Sequence, residues 1–192
     1  MPPIARFCVA LSAGLACGAV SVSNFAVTSP ALARDAAAPR KFAAYITGYS
    51  YWDNTPAGSA SISRPVVHAT AGGQGTYADP ITLAVGHSIV AGTETLDVPA
   101  GTRFYLARLK RYAIVEDTCG DGPTPQTRPC HTGYSGHLWF DIYVDGRRST
   151  AAMAQACMDR ITAVQTVIMN PPPNLPVTAG PLTESGCRTS AG

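Results

Sequence analysis

The chain has 192 residues, with 14 Lys and Arg against 12 Asp and Glu, 18 Gly and 16 Pro. It carries no polybasic run and no basic helix, which excludes a nucleic-acid binder of the ordinary electrostatic kind. Weak charge and many turn-forming residues suit a neutral polymer, such as polysaccharide, as partner.

Arg6 supplies a short positive region, Phe7 to about Val22 is apolar and rich in small residues, and Ala31-Leu32-Ala33 fits a small-x-small cleavage site. The expected organisation is a signal peptide over 1–33, a linker over 34–41 and one domain over 42–192. The apolar run is short for a membrane span, so the expected mature form is a secreted monomer away from the membrane. Gly14-Leu15-Ala16-Cys17 leaves lipidation of Cys17 as an alternative. Without Arg6 the basic and acidic residues stand at 13 against 12. Once Cys8 and Cys17 depart with the signal, Cys119, Cys130, Cys157 and Cys187 remain. An even count in an exported chain reads as two disulfides with three possible pairings. Cys119 and Cys130 flank one Gly/Pro-rich loop, which favours that local bridge and leaves Cys157 with Cys187 to pin the tail. His68, His87, His131 and His137 form no ligand motif and no CxxC occurs, so neither metal nor cofactor is expected.

From Phe42 onward the chain reads as short strands separated by turns. Phe42 to Trp52 is rich in Tyr and Ile and alternates loosely. Asp53 to Ser59 ends it with turn chemistry. Further strands are expected at Pro65–Ala69, Ile81–Val85, Thr102–Leu106, Tyr112–Asp117, His137–Val144 and Gln165–Met169. Ser149 is the expected cap of one helix over Thr150–Ile161, with Ala, Met and Cys on its inner face. The tail from Asn170 through three prolines is extended. Many short strands with a single helix predict a mainly β fold, a small closed barrel.

Three aspartates stand on or beside strand-like segments: Asp53 after Tyr51-Trp52, Asp117 after Tyr112 to Glu116, and Asp141 inside Leu138-Trp139-Phe140-Asp141-Ile142-Tyr143. A carboxylate at the edge of an apolar sheet can take a shifted pKa, which separates acid from base. Period-2 alternation puts Trp139, Asp141 and Tyr143 on one face, an acid between two rings, and aromatic rings are platforms for sugars. Tyr51, Trp52, His137, Trp139 and Tyr143 are therefore the expected substrate-binding residues. Glu116 is expected to face solvent. Asp79, Asp97, Asp121 and Asp145 read as turn residues, and His131 as solvated. No G-x-S-x-G nucleophile elbow is present.

Pro99-Ala100-Gly101-Thr102, then Glu116-Asp117-Thr118-Cys119-Gly120, then Phe140-Asp141-Ile142-Tyr143 occur in an order that resembles the six-stranded double-psi β-barrel superfamily. They are similar to its three-aspartate cell-wall domains, found in the membrane-bound lytic transglycosylase A family. That resemblance implies that Asp141 is the proton donor and Asp117 its neighbouring carboxylate. Cys119 inside the turn departs from the pattern. Tyr51-Trp52-Asp53 and Phe140-Asp141 resemble the base and acid segments of family 45 endoglucanases, which implies a base role for Asp53. The cysteine-rich continuation of that endoglucanase motif is absent. Expansins and rare lipoprotein A share the barrel, and the combined pattern resembles the family 184 muramidases. The expectation is a secreted glycosidase, a peptidoglycan muramidase in which Asp141 protonates the leaving oxygen and Asp53 deprotonates water with inversion. Inversion calls for about 6.5–9.5 Å between the two carboxyl groups. A lytic transglycosylase, an endoglucanase or a non-catalytic wall-binding protein are the alternatives.

Overall fold

Apolar side chains at alternate positions turn β1 (Arg40–Tyr49) into a strand with one buried face, Ala44 and Ile46 being fully enclosed. The computed structural model describes residues 37–190. The expected signal peptide, with Cys8 and Cys17, lies outside the described residues. β2 (Ile81–Val85) is buried along its whole length, as is β6 (Arg111–Thr118) as far as Asp117. Continuous burial of this kind belongs to strands covered on both faces, and β2 and β6 pair in parallel.

With β5 (Arg103–Leu106), β7 (Trp139–Tyr143) and β8 (Ala163–Met169), these strands close a barrel in the order β1-β7-β2-β6-β5-β8. β8 returns antiparallel to β1 and completes the ring. Inside, Phe42, Phe104 and Phe140 meet edge-on or tilted at 4.7–6.3 Å between ring centres. Aromatic pairs in such geometry contribute about 0.5–1.5 kcal/mol beyond their buried area. The molecule is thus mainly β, as composition and period implied.

One helix among the described residues exceeds a single turn, α2 (Ala151–Ile161). Its cap is Thr150, whose hydroxyl accepts from the Met153 N–H at 3.2 Å. Ser149, the expected cap, stands one residue too early to reach that N–H. Ala154, Cys157, Met158 and Ile161 face inward. Gly48 lets the helix approach, since a Cβ there would meet Ile161, Val144 and Met158 at 3.0–3.1 Å. No helix among the described residues is long and apolar enough to cross a membrane.

Both favoured disulfides are present, Cys119–Cys130 and Cys157–Cys187, with Cα separations of 5.9 and 5.4 Å. The tail runs over the barrel held by tyrosines, Tyr112 donating to the Pro172 carbonyl and Tyr105 to that of Pro176, both at 2.6 Å, and turns over 181–187 to reach Cys187. Three local expectations fail. The hairpin of β3 (His87–Val90) with β4 (Thr93–Leu96) has no counterpart among the expected strands, its Thr- and Glu-bearing return strand giving little period. A 3₁₀ turn (Pro125–Thr127) and the one-turn helix α1 (Pro129–Thr132) fill the disulfide loop that read as irregular. Pro65–Ala69 is not a strand, because its N–H groups go to a side chain rather than to a neighbouring strand.

Candidate functional site

Ala84 of β2 stands in register with Asp141 of β7 on one side and with Asp117 of β6 on the other. Strands lie about 4.8 Å apart, so the two aspartates flank β2 at roughly 10 Å between backbones. The register of β2 against β6 shifts between Leu83 and Ala84. That bulge skips Glu116 and brings Asp117 opposite Ala84. Four residues past the end of β1, Asp53 comes over the same end of the barrel. All three aspartates line one cleft of about 400 Å³.

Their environments differ. Asp53 is exposed on the rim, accepting at one oxygen from the Ser50 N–H at 2.7 Å and the Ser50 hydroxyl at 2.6 Å. Asp117 is only 6% exposed and accepts from Tyr49 Oη, the Ser63 N–H and its neighbour Thr118 N–H, each at 2.9 Å. Burial, then the charge and hydrogen bond of Asp117, hold the Tyr49 hydroxyl well above its usual pKa, so it stays a neutral donor. Asp141 accepts from Thr47 Oγ1 at 2.7 Å. Enclosure pushes its carboxyl up to about 7. The Thr47 hydrogen bond pulls the other way, and the charges of Asp53 and Asp117 push further up. Enclosure is therefore the leading cause, with the like charges of Asp53 and then Asp117 lesser ones.

The aromatic residues expected to carry substrate are absent from the walls of this cleft. Tyr143 is 2% exposed and packs on Tyr49 at 5.2 Å, a core residue. Trp52 is exposed but turned away, its Nε1 donating to the Gly146 carbonyl at 2.9 Å, with Tyr51 edge-on to its ring. His137 pairs by backbone with Tyr134 in the turn before β7 and does not begin that strand. Trp139 packs against Tyr45 and reaches the site only through Thr47, donating to its hydroxyl at 2.7 Å. The walls are instead polar, built from Asn54, Thr55, Ser61, Ser63 and Thr118. The Ser- and Thr-rich stretch after Asp53 was the available signal for them, and it reads equally as a plain turn. Asp121, expected to be a solvated turn residue, is a fourth carboxylate on the rim and accepts from Thr55 Oγ1 at 2.7 Å.

Glu116 does not face solvent. It is fully buried, and one of its oxygens accepts the N–H groups of Val66, Val67 and His68 at 2.5–3.2 Å. Its other oxygen meets His68 Nδ1 at 2.7 Å, and His68 Nε2 meets Asp79 at 2.8 Å. Burial opposes the charge on Glu116, but these hydrogen bonds and the histidine win and lower its pKa. His68 is pushed down by burial and up more strongly by the two carboxylates, so its pKa is raised. His131 is likewise tied, to Asp97 at 2.7 Å. A larger cleft of about 600 Å³ lies along Val67–Gln74 and Asp145–Arg148. Its histidine has both nitrogens committed and Arg147 is bound to Asp145, so it offers less available acid–base chemistry. Among the described residues, no group of three or more His, Cys, Asp or Glu side chains is placed to hold a metal ion.

The chain is 40% identical over 82 residues to a Dictyostelium discoideum protein named "Uncharacterized protein DDB_G0273701/DDB_G0273221". The aligned stretch covers 43% of this chain and 32% of that relative, so the match spans about a third of the relative's length. No solved structure matches the chain. A family model described as the DDB_G0273701 N-terminal domain matches residues 41–189, the whole barrel with its tail, and the chain belongs to that family.

Proposed function

We propose that this protein is a secreted glycosidase that cleaves a cell-wall glycan, with peptidoglycan as its polymer and Asp141 as the proton donor. The observation that carries the reading is Asp141 itself, enclosed in an open polar cleft with its carboxyl raised to about 7. Such a group is about half protonated at neutral pH, keeps a proton to give, and can regain it after each turnover. Asp53, exposed on the same rim and fixed by Ser50, is the base that directs water. Asp117 has its oxygens committed to Tyr49, Ser63 and Thr118. It acts by charge and by shaping the floor rather than by taking a proton. The closed six-stranded barrel is compatible with the double-psi β-barrel, whose cell-wall enzymes carry an acid aspartate at this place in the motif order. Two disulfides and the N-terminal sequence support export.

The test is mass spectrometry of soluble products from peptidoglycan, with Asp53→Asn, Asp121→Asn and Asp141→Asn run beside the wild type. Hydrated muropeptides lost in Asp53→Asn and Asp141→Asn are expected. Anhydro products that survive Asp53→Asn would move the protein to lytic transglycosylation, in which Asp141 alone is acid and then base. Loss in Asp121→Asn with activity kept in Asp53→Asn would transfer the base role to Asp121. No products from the wild type would contradict cleavage of this polymer and favour another polysaccharide or an expansin-like binding role.

A further inference from the structure

Thr47 has one hydroxyl proton and stands between two fixed groups. The Trp139 indole N–H, which can only donate, points at Thr47 Oγ1 at 2.7 Å, and Thr47 Oγ1 lies 2.7 Å from Asp141 Oδ1. β1 and β7 pair in parallel with Thr47 opposite Asp141, so the backbone register sets this contact. Trp139 is itself fixed, standing edge-on to Tyr45 at 4.7 Å, and Tyr45 stacks on Tyr134 at 4.1 Å. With one lone pair taken by the indole, the hydroxyl proton has Asp141 Oδ1 as its acceptor, and no other acceptor for it occurs among the described residues.

We propose that Trp139 and Thr47 form an oriented donor chain that keeps Asp141 Oδ1 an acceptor and so holds the acid proton on Oδ2, the oxygen left to the cleft. A proton on Oδ1 would face the Thr47 proton and leave one of the two unbonded, which is costly for an enclosed group. Trp139 is then a positioning residue acting two bonds away from the acid, not a sugar platform. The chemical consequence rests on the glycosidase reading. The Oδ2–H bond breaks as the glycosidic C–O bond breaks, the proton goes to the leaving oxygen, and water bonds to the sugar while giving its proton to Asp53. The new carboxylate still receives the Thr47 hydrogen bond. The address of the proton is independent of any substrate.

The groups facing Asp141 are Asp53 from the turn after β1, Tyr49 from β1 and Asp117 from β6. None changes in the variants that test the chain. The experiment is a carbon-13 NMR titration of the side-chain carboxyls of the intact, disulfide-bonded protein, with Asp141 identified by its loss in Asp141→Asn. Thr47→Val removes a donor that favours the carboxylate, so the Asp141 midpoint should rise by about one pH unit. Thr47→Ser should return it to the wild-type value. Trp139→Phe frees the hydroxyl to accept a proton from the neutral acid, and should raise the midpoint by less. Thermal melts of each variant separate these shifts from unfolding. An unchanged midpoint in folded Thr47→Val or Trp139→Phe overturns the proposal, as does a shift in Thr47→Ser equal to that in Thr47→Val. Because no glycan enters the titration, failure of the wall-cleavage assay and failure of this chain give different results.

Discussion

Glu116 on β6 and Asp141 on β7 are both enclosed carboxylates on strands that flank β2, yet the fold shifts their pKa values in opposite directions. Glu116 is the deeper of the two, fully buried, and should pay more for its charge. It stays ionised because three backbone N–H groups and His68 converge on it. Asp141 receives one hydroxyl and faces two like charges across the cleft, so enclosure prevails and its pKa rises to about 7. Donor count, rather than depth, separates the structural acid from the candidate chemical one. A site can carry a carboxyl's pKa up to about 7 simply by denying it partners.

The largest expected effect falls on the acid. Asp141→Asn should lower kcat for glycan cleavage by about 10²–10⁴, the usual worth of a positioned general acid, while circular dichroism stays native. Next comes the structural partner. Glu116→Ala orphans three N–H groups and His68, and should cost about 3–5 kcal/mol in urea unfolding.

The pH dependence of stability takes opposite signs at the two places. Glu116 has a lowered folded pKa, so its contribution is present above its unfolded value of 4.5 and is lost as pH falls through the folded one. His68 has a raised folded pKa, so its contribution is complete below 6.5 and is lost as pH rises through the folded value. Asp141 penalises the fold increasingly as pH climbs from 3.8 to about 7, where the unfolded chain ionises first. Replacing it by Asn should therefore stabilise the protein at pH 8 by on the order of 2–4 kcal/mol, with little change at pH 4. Paired thermal melts at the two pH values check this, and an equal effect at both would remove the raised pKa from the account. The smallest effect belongs to an outlying pair: His131→Gln, which loses its partly exposed contact with Asp97, should cost less than about 1 kcal/mol.

Much of the barrel was legible because local signals agreed with the fold. Ile81–Val85 coincides with β2, the apolar run before Asp117 forms β6, and the Gly/Pro loop between Cys119 and Cys130 closes as the spacing implied. Asp53, Asp117 and Asp141 were each recognisable as carboxylates beside apolar strands, and one cleft receives all three. What failed was non-local. Glu116 reads as a solvent-facing neighbour of Asp117 until the segment around Val66–His68 turns its N–H groups onto it, a contact with no periodic trace. Tyr143 shares its strand with Asp141, but alternation cannot say where along a face the cleft ends and the core begins, and Tyr143 lies on the core side. Thr47 carries no signal in the sequence, since a lone threonine in a strand looks like propensity. Only the parallel register of β1 with β7 brings it against the acid.

The most direct measurement is the pH–rate profile for release of soluble muropeptides from peptidoglycan, with Asp141→Asn beside the wild type. An acid that must be protonated to act gives a rate that falls as pH rises through about 7, and release that all but vanishes in Asp141→Asn. Release that persists undiminished in Asp141→Asn would contradict the assignment of Asp141 as the proton donor.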